Sequence, residues 1–171
     1  DLTLYNSPTW LDVKEIDTTS QPAYTLVKFP RSYITANGGW KSPNASVSFT
    51  SLVLAGGGSG GARVGTAAGG GGGAGGMIES DARILDSNTV VTVIVGQGGL
   101  GGRTGTESTI GTGDNGQNSQ LKFGSSASES FTAIGGGAGA GGYGTTGDIS
   151  YRGSAGGSGG GASGSNNSGY V

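Results

Sequence analysis

Cysteine and histidine are both missing from this sequence of 171 residues. Without cysteine the chain forms no disulfide and offers no thiolate nucleophile. Without histidine it lacks the commonest general base, the Ser-His-Asp triad and the ligand of most zinc sites. These absences lead us to expect a protein that is not an enzyme and that has no catalytic, cofactor-binding or metal-binding residues.

Charge and long hydrophobic runs are also scarce. Only 12% of the residues are charged and the net charge is −2, which argues against electrostatic binding to nucleic acid or to an anionic membrane. No apolar run approaches the roughly 18 residues that a membrane span needs, so we expect no membrane insertion. The chain starts at Asp1 without Met. We therefore expect a processed chain or a fragment, whose missing part could carry a targeting signal.

Proline and glycine divide the chain. All four prolines lie before residue 44, whereas nearly all of the 41 glycines, roughly three times the usual share, follow Trp40. We predict an N-terminal β-rich extension over residues 1–38 and a glycine-rich repeat domain over residues 39–171. Within the extension, residues 23–29 alternate with the period of a strand, which Pro30 ends or confines to an edge.

An internal repeat occupies the glycine-rich part. Each copy is a β-branched or aromatic strand that runs into a glycine tract: SFTSLVLAGGGSGG (48–61), VVTVIVGQGGLGG (90–102) and SFTAIGGGAGAGG (130–142). The tracts begin at Gly56, Gly96 and Gly135, a spacing of 40 and then 39 residues. Such a period indicates a unit that buries its apolar face by stacking on its copies. Residues 111–120, between two copies, are interpreted as turn-rich.

One tract fits the dinucleotide-binding pattern G-x-G-x-x-G, at Gly96, Gly98 and Gly101. A Rossmann turn must open a helix, because the helix N-terminus binds the phosphate. The residues after Gly102 show repeated glycine and no helical period, and this composition gives roughly two or three such matches by chance. We therefore expect no nucleotide site.

Glycine tracts that recur on the same strand at a fixed interval are not typical of flexible linkers. An extended, polyproline-II-like backbone with three residues per turn has no internal hydrogen bonds, so each tract must bond to its neighbours. We therefore predict a mainly β and irregular fold with essentially no α-helix. In it, short β-strands pack with a bundle of polyglycine-II-like glycine helices. A side chain at Gly71, for example, is expected to block close backbone contact.

From residue 39 to about 164, the chain resembles the glycine-rich domain of tailed-phage tail fibres and receptor-binding adhesins. The resemblance rests on the order of WKSP (40–43), VSFTSLVLAGGGSGG (47–61), GGGGGAGG (69–76), TVVTVIVGQGGLGG (89–102) and SFTAIGGGAGAGG (130–142). In such adhesins the tracts form a polyglycine-II bundle whose tip loops contact the host surface. The family supplies no fixed motif that carries over to a functional residue of this chain.

Two functions follow from this resemblance and composition. The first is a structural and adhesive protein, a tail-fibre-type domain that binds a bacterial surface glycan or outer-membrane protein. The second is a self-assembling extracellular filament or matrix subunit built on the same glycine-rich fold. Either function implies an extracellular or virion location.

The residues singled out for receptor contact are Tyr143, Tyr151 and Tyr170, which stand in small, polar surroundings. A tyrosine in such surroundings is either a packing plug or an exposed stacking face for sugar. Asp114-Asn115-Gly116 is interpreted as a turn rather than a calcium site. The triplets Asn44-Ala45-Ser46 and Asn166-Asn167-Ser168 fit the glycosylation sequon.

Two groups of carboxylates could in principle supply a glycosidase acid and base: Asp12, Glu15 and Asp17, and Glu79 and Asp81. Nothing in their spacing brings them together, so we interpret them as solvated faces.

We expect the chain to assemble, because it has little apolar surface to bury. Burial within one copy then exceeds the entropy lost on folding by only a small free energy. The partner is a further copy of the chain or another fibre or filament subunit. The N-terminal segment, residues 1–12, is predicted to add to a neighbour's sheet edge, with Leu2, Leu4 and Trp10 filling pockets.

Overall fold

A computed structural model describes residues 3–4, 28–29, 38–42, 45–62, 68–102, 111–124, 130–141 and 152–164. These residues form β-strands and extended segments, with no helix among them. None of the described elements is a helix long and apolar enough to cross a membrane. The chain divides into two compact units: unit 1 is Asp1–Leu52, Glu79–Val95 and Gln120–Phe131, and unit 2 is Val53–Ile78, Gly96–Ser119 and Thr132–Val171.

Among the described residues, seven strands make two antiparallel sheets. In chain order they are β1 (Thr3–Leu4), β2 (Gly38–Lys41), β3 (Val47–Leu54), β4 (Met77–Leu85), β5 (Val90–Ile94), β6 (Ser119–Phe123) and β7 (Ser130–Ala133). One sheet has the order β1-β2-β5-β6-β7 and the other pairs β3 with β4. The mainly β fold without α-helix is thus confirmed for the described residues.

The core of unit 1 lies on one row of the larger sheet. Trp40 of β2 pairs with Val91 of β5, which pairs in turn with Phe123 of β6. Alternation along a strand sends every second side chain to the same face, and Val91 at the centre of the row is fully buried. Phe49 of β3 packs on this row, with its ring centroid 6.0 Å from Trp40 and 5.7 Å from Phe123. The aromatic side chains therefore join the two sheets within this unit.

A turn before β5 depends on a buried hydroxyl. Ser42 Oγ donates to the carbonyl of Asp86 at 2.6 Å and accepts from the N–H of Thr89 at 2.8 Å. Asn88, between them, has a positive φ of 59°, a conformation that asparagine tolerates better than most residues. The end of β2 thereby fixes the turn that leads into β5.

Glycine-rich segments continue the strands in unit 2. We name six segments outside the strands: A (residues 55–62), B (68–76), C (96–102), D (111–118), E (134–141) and F (152–164), of which F bends at residues 156–158. The strands β3, β5 and β7 run into A, C and E, at the three places where the sequence places a strand before a glycine tract. Segments B and D run back into β4 and β6. Each period of about 40 residues thus contains one glycine segment that follows a strand and a second that leads back into a strand.

Three local predictions need correction or comment. Segment D is extended and bonded to three other segments, so the turn-rich interpretation of residues 111–120 was wrong. In the N-terminal part, Lys28 and Phe29 lie outside the strands, and the rest of the predicted strand over residues 23–29 lies outside the described residues. The predicted domain boundary between residues 38 and 39 falls inside β2.

Candidate functional site

Hydrogen bonds in unit 2 follow a period of three residues. In segment A, Ala55, Gly58 and Gly61 donate their N–H groups to segment B, at Gly76, Gly73 and Gly70. The residues that directly follow these three, at positions 56, 59 and 62, donate their N–H groups to segment D. The carbonyls of Gly57 and Gly60 accept from segment C, and those of residues 56 and 59 accept from segment E. Segment A is therefore bonded to neighbours in four directions.

Segment E is the most completely bonded of the six segments. Every backbone N–H and C=O group from Gly135 to Ala140 has a partner. Those partners come from segments A, B, D and F and from two side chains. All residues from 134 to 141 except Ile134 are buried. A buried backbone group without a partner costs free energy, so this arrangement gives the unit an ordered centre.

The two side chains are Asn115 and Asn118 of segment D. Asn115 Oδ1 accepts from the N–H of Ala138 at 2.7 Å, and Asn118 Oδ1 accepts from the N–H of Gly135 at 2.8 Å. Both asparagines are exposed, and they lie three residues apart. Each carboxamide is held through its oxygen, and its NH₂ group donates to no described residue.

Other exposed polar side chains lie beside the asparagines on segments C and D. We name this surface the polar edge; it consists of Gln97, Asp114, Asn115, Gln117 and Asn118. Gln117 Oε1 accepts from the N–H of Gln97 at 3.2 Å, which links the two segments. The polar edge can donate to and accept from a ligand, and Asp114 is its one charged residue.

The close packing requires glycine at some positions and not at others. A Cβ built on Gly73 would lie 2.1 Å from the carbonyl oxygen of Ser158, and one on Gly72 would lie 2.2 Å from that of Gly58. A Cβ on Gly71 would meet nothing within 4 Å, and Gly71 is exposed. The expectation that a side chain at Gly71 blocks backbone contact was therefore wrong, although it describes Gly72 and Gly73.

The remaining candidate motifs have mixed outcomes. Asp114-Asn115-Gly116 is not a turn but part of extended segment D, and the described residues contain no cluster of three acidic groups that could hold a metal. Residues 96–102 form an extended segment that donates to Gly57 and Gly60, rather than a phosphate-binding turn. Glu79 and Asp81 on β4 are exposed, as expected of a solvated face.

Several predicted contact residues fall outside the described part of the chain. They are Tyr143, Tyr151, Tyr170, Leu2, Trp10, Asp12, Glu15, Asp17 and the sequon asparagines Asn44 and Asn166. Of the predicted assembly contacts, Leu4 lies in β1, whose backbone pairs with Trp40 of the same chain. At residues 3–4 the segment thus extends the chain's own sheet, and its contact with a neighbour stays a prediction.

The structural role of Asn115 and Asn118 was not predicted from the sequence. The signal that could have found it is their spacing, since D-N-G-Q-N places two carboxamides three residues apart between glycines. That spacing matches one turn of an extended glycine backbone. The spacing indicates this structural role only where a neighbouring segment presents N–H groups at the same three-residue interval.

Comparisons with known proteins agree with the glycine-rich interpretation. The model of a family described as a glycine-rich domain matches residues 34–171, which is most of the chain. Searches of curated proteins and of solved structures gave no match. On the family match, the chain belongs to the glycine-rich domain family.

Proposed function

We propose that the chain is a non-enzymatic structural and adhesive protein of the phage tail-fibre type. In this proposal the glycine-rich unit is a rigid scaffold, and its exposed side chains bind a receptor on the bacterial surface. The observation that carries the proposal is the fixing of exposed carboxamides by a buried backbone. Asn115 and Asn118 are held by the N–H groups of Ala138 and Gly135. Groups held in place before binding lose less entropy when a ligand arrives.

The scaffold is proposed to be a polyglycine-II bundle. Donors that recur every third residue, with successive residues bonded to different neighbours, are what a backbone with three residues per turn requires. Support also comes from glycines such as Gly73, where a Cβ would overlap a neighbouring carbonyl. An extended helix without internal bonds is stable only when its neighbours approach this closely.

The receptor class that best fits the polar edge is a neutral glycan. In the described part of unit 2 the charged side chains are Asp114 and Arg152, so the described surface offers little charge to attract a charged partner. Carboxamides donate and accept in pairs, which suits the vicinal hydroxyls of a sugar. An outer-membrane protein is the other receptor considered. The proposed location is the virion or the cell exterior, as part of a homo-oligomer or a larger fibre.

The alternative function is a filament or matrix subunit that assembles through its glycine segments. It is favoured by Gly69, Gly72 and Gly75 of segment B, which make no hydrogen bond to any described residue. Unpaired backbone groups on the edge of a bundle can bond to another subunit.

Binding of the labelled full chain to a panel of bacterial cells tests the adhesive proposal. We expect saturable binding that periodate oxidation of the cell-surface glycans abolishes and protease treatment does not. The double variant Gln97→Ala and Asp114→Ala should weaken binding at least tenfold, because both side chains are exposed and neither takes part in the segment-to-segment bonds described above.

The matched control is Glu79→Ala, an exposed carboxylate on β4 outside the polar edge, which should bind as the unchanged chain does. Loss on protease treatment alone would indicate a protein receptor. Absence of saturable binding, together with long regular filaments in electron micrographs, would replace the adhesive proposal with the filament alternative.

A further inference from the structure

Segment E has neighbours in six directions, and backbones occupy five of them. With a period of three residues, its carbonyl groups form three rows and its N–H groups form three more. The carbonyl rows accept from segment B, from segment D and from the part of segment F before its bend. Two N–H rows donate to segment A and to the part of segment F after the bend. The remaining row is that of Gly135 and Ala138, which donate to the side-chain oxygens of Asn118 and Asn115.

The sixth direction lies between segments D and F. The N–H of Ala138 belongs to the same planar peptide unit as the carbonyl of Gly137, so the two groups point in opposite directions. That carbonyl accepts from Gly73, so the carboxamides lie on the side of segment E that is away from segment B. Around segment E, hydrogen bonds join D to A, A to B, B to F and the two parts of F to each other. Among the described residues, the ring of backbones around segment E is therefore open only between D and the first part of F.

Asn115 and Asn118 cover this opening. The two asparagines are exposed, whereas Gly135 and Ala138 are buried, and both pairs have the same three-residue spacing. An N–H group that is bonded to a carboxamide is not available to the carbonyl of a further chain. Rows of unpaired backbone groups invite the addition of another chain, and native proteins cover them. Another backbone could bond to this side of segment E only by displacing both side chains.

We propose that Asn115 and Asn118 close segment E to the lateral addition of another extended chain. The chain that they exclude is a glycine segment of a second copy, because a backbone with the same three-residue period presents carbonyl groups at the spacing of Gly135 and Ala138. The inference rests on the hydrogen-bond period of the proposed scaffold and does not depend on the receptor. Assembly of the chain then uses a face other than the one between segments D and F.

The double variant Asn115→Gly and Asn118→Gly removes both carboxamides, and amide exchange and sedimentation velocity over a wide concentration range test its behaviour. At low concentration, Gly135 and Ala138 should exchange faster than in the unchanged chain by about tenfold or more, since their acceptors are gone. At high concentration these amides should become protected again, and the variant should sediment as a larger assembly than the unchanged chain. The matched control is Thr112→Gly, because Thr112 is exposed and lies three residues before Asn115 on the same segment. This control should behave as the unchanged chain does.

The amides of Gly136 and Gly139, which donate to segment A, report whether the unit is folded. If they are unprotected in the double variant at every concentration, Asn118→Gly alone gives the same test at Gly135. With both amides protected, the inference is overturned if the exchange of Gly135 in the variant does not depend on concentration, or if Thr112→Gly forms the same larger assembly. Fast exchange of Gly136 and Gly139 in the unchanged chain would instead overturn the proposed scaffold, and this inference with it.

Discussion

Asn115 Oδ1 lies 2.7 Å from the backbone nitrogen of Ala138 and accepts its hydrogen bond. No backbone carbonyl of a described residue accepts from this N–H. A side chain here does what backbone carbonyls do for the other N–H groups of the segment. Ala138 is buried, so its N–H has no ready alternative partner. The stability of the glycine-rich unit should therefore depend on an exposed asparagine.

Asn115→Ala should lower the free energy of unfolding by about 1–3 kcal/mol, the cost of leaving a buried N–H without a partner. Asn118→Ala should behave similarly, since Asn118 accepts from buried Gly135. Thr112→Ala is the matched control on the same segment, because Thr112 is exposed and makes no hydrogen bond to a described residue. Urea denaturation measures all three. Equal stability of Asn115→Ala and Thr112→Ala would show that the carboxamide has no structural role.

Alanine should destabilise the chain at one glycine of a tract and not at another. Gly73→Ala places a Cβ 2.1 Å from the carbonyl oxygen of Ser158, and such overpacking should cost about 1–3 kcal/mol. Gly71→Ala meets no atom within 4 Å, and it should be neutral or stabilising by about 0.4–1 kcal/mol because the unfolded chain loses freedom. Thermal and urea unfolding of the two variants give the comparison. If both variants lose stability equally, segment B is not packed as described.

In unit 1, Ser42→Ala should destabilise by about 1–3 kcal/mol, since it leaves the N–H of Thr89 without its hydroxyl acceptor. Ser42 is only 2% exposed, so water cannot easily replace the hydroxyl. Ser48→Ala, on the exposed face of β3, serves as the control and should change stability by less than about 0.5 kcal/mol. A Ser42→Ala chain as stable as the Ser48→Ala chain would mean that the turn before β5 does not need the hydroxyl.

The sequence predicted the strands that lead into the glycine segments better than it predicted the segments that lead back. β3, β5 and β7 are marked by β-branched and aromatic residues directly before glycine, a local signal. Segment D has only three glycines among its eight residues and contains Asp114-Asn115-Gly116, which favours a turn when considered alone. Its extended form is set by hydrogen bonds to segments A, C and E, which no local pattern encodes.

The error at Gly71 has a related cause. In the run of five glycines from residue 69 to 73, nothing in the sequence distinguishes one residue from the next. The rotation of segment B about its own axis, relative to segments A, E and F, decides which of them faces a neighbour and which faces outward. The same holds for Asn115 and Asn118, whose role depends on the position of segment E.

Hydrogen bonds with a period of three residues order the glycine segments of unit 2. Residue-resolved amide exchange of segment A tests this most directly. The N–H groups of residues 55, 56, 58, 59, 61 and 62 are donors, whereas those of Gly57 and Gly60 donate to no described residue. We expect slow exchange at the six donors and fast exchange at Gly57 and Gly60. Uniformly fast exchange, or protection that alternates every second residue as in a sheet edge, would contradict it.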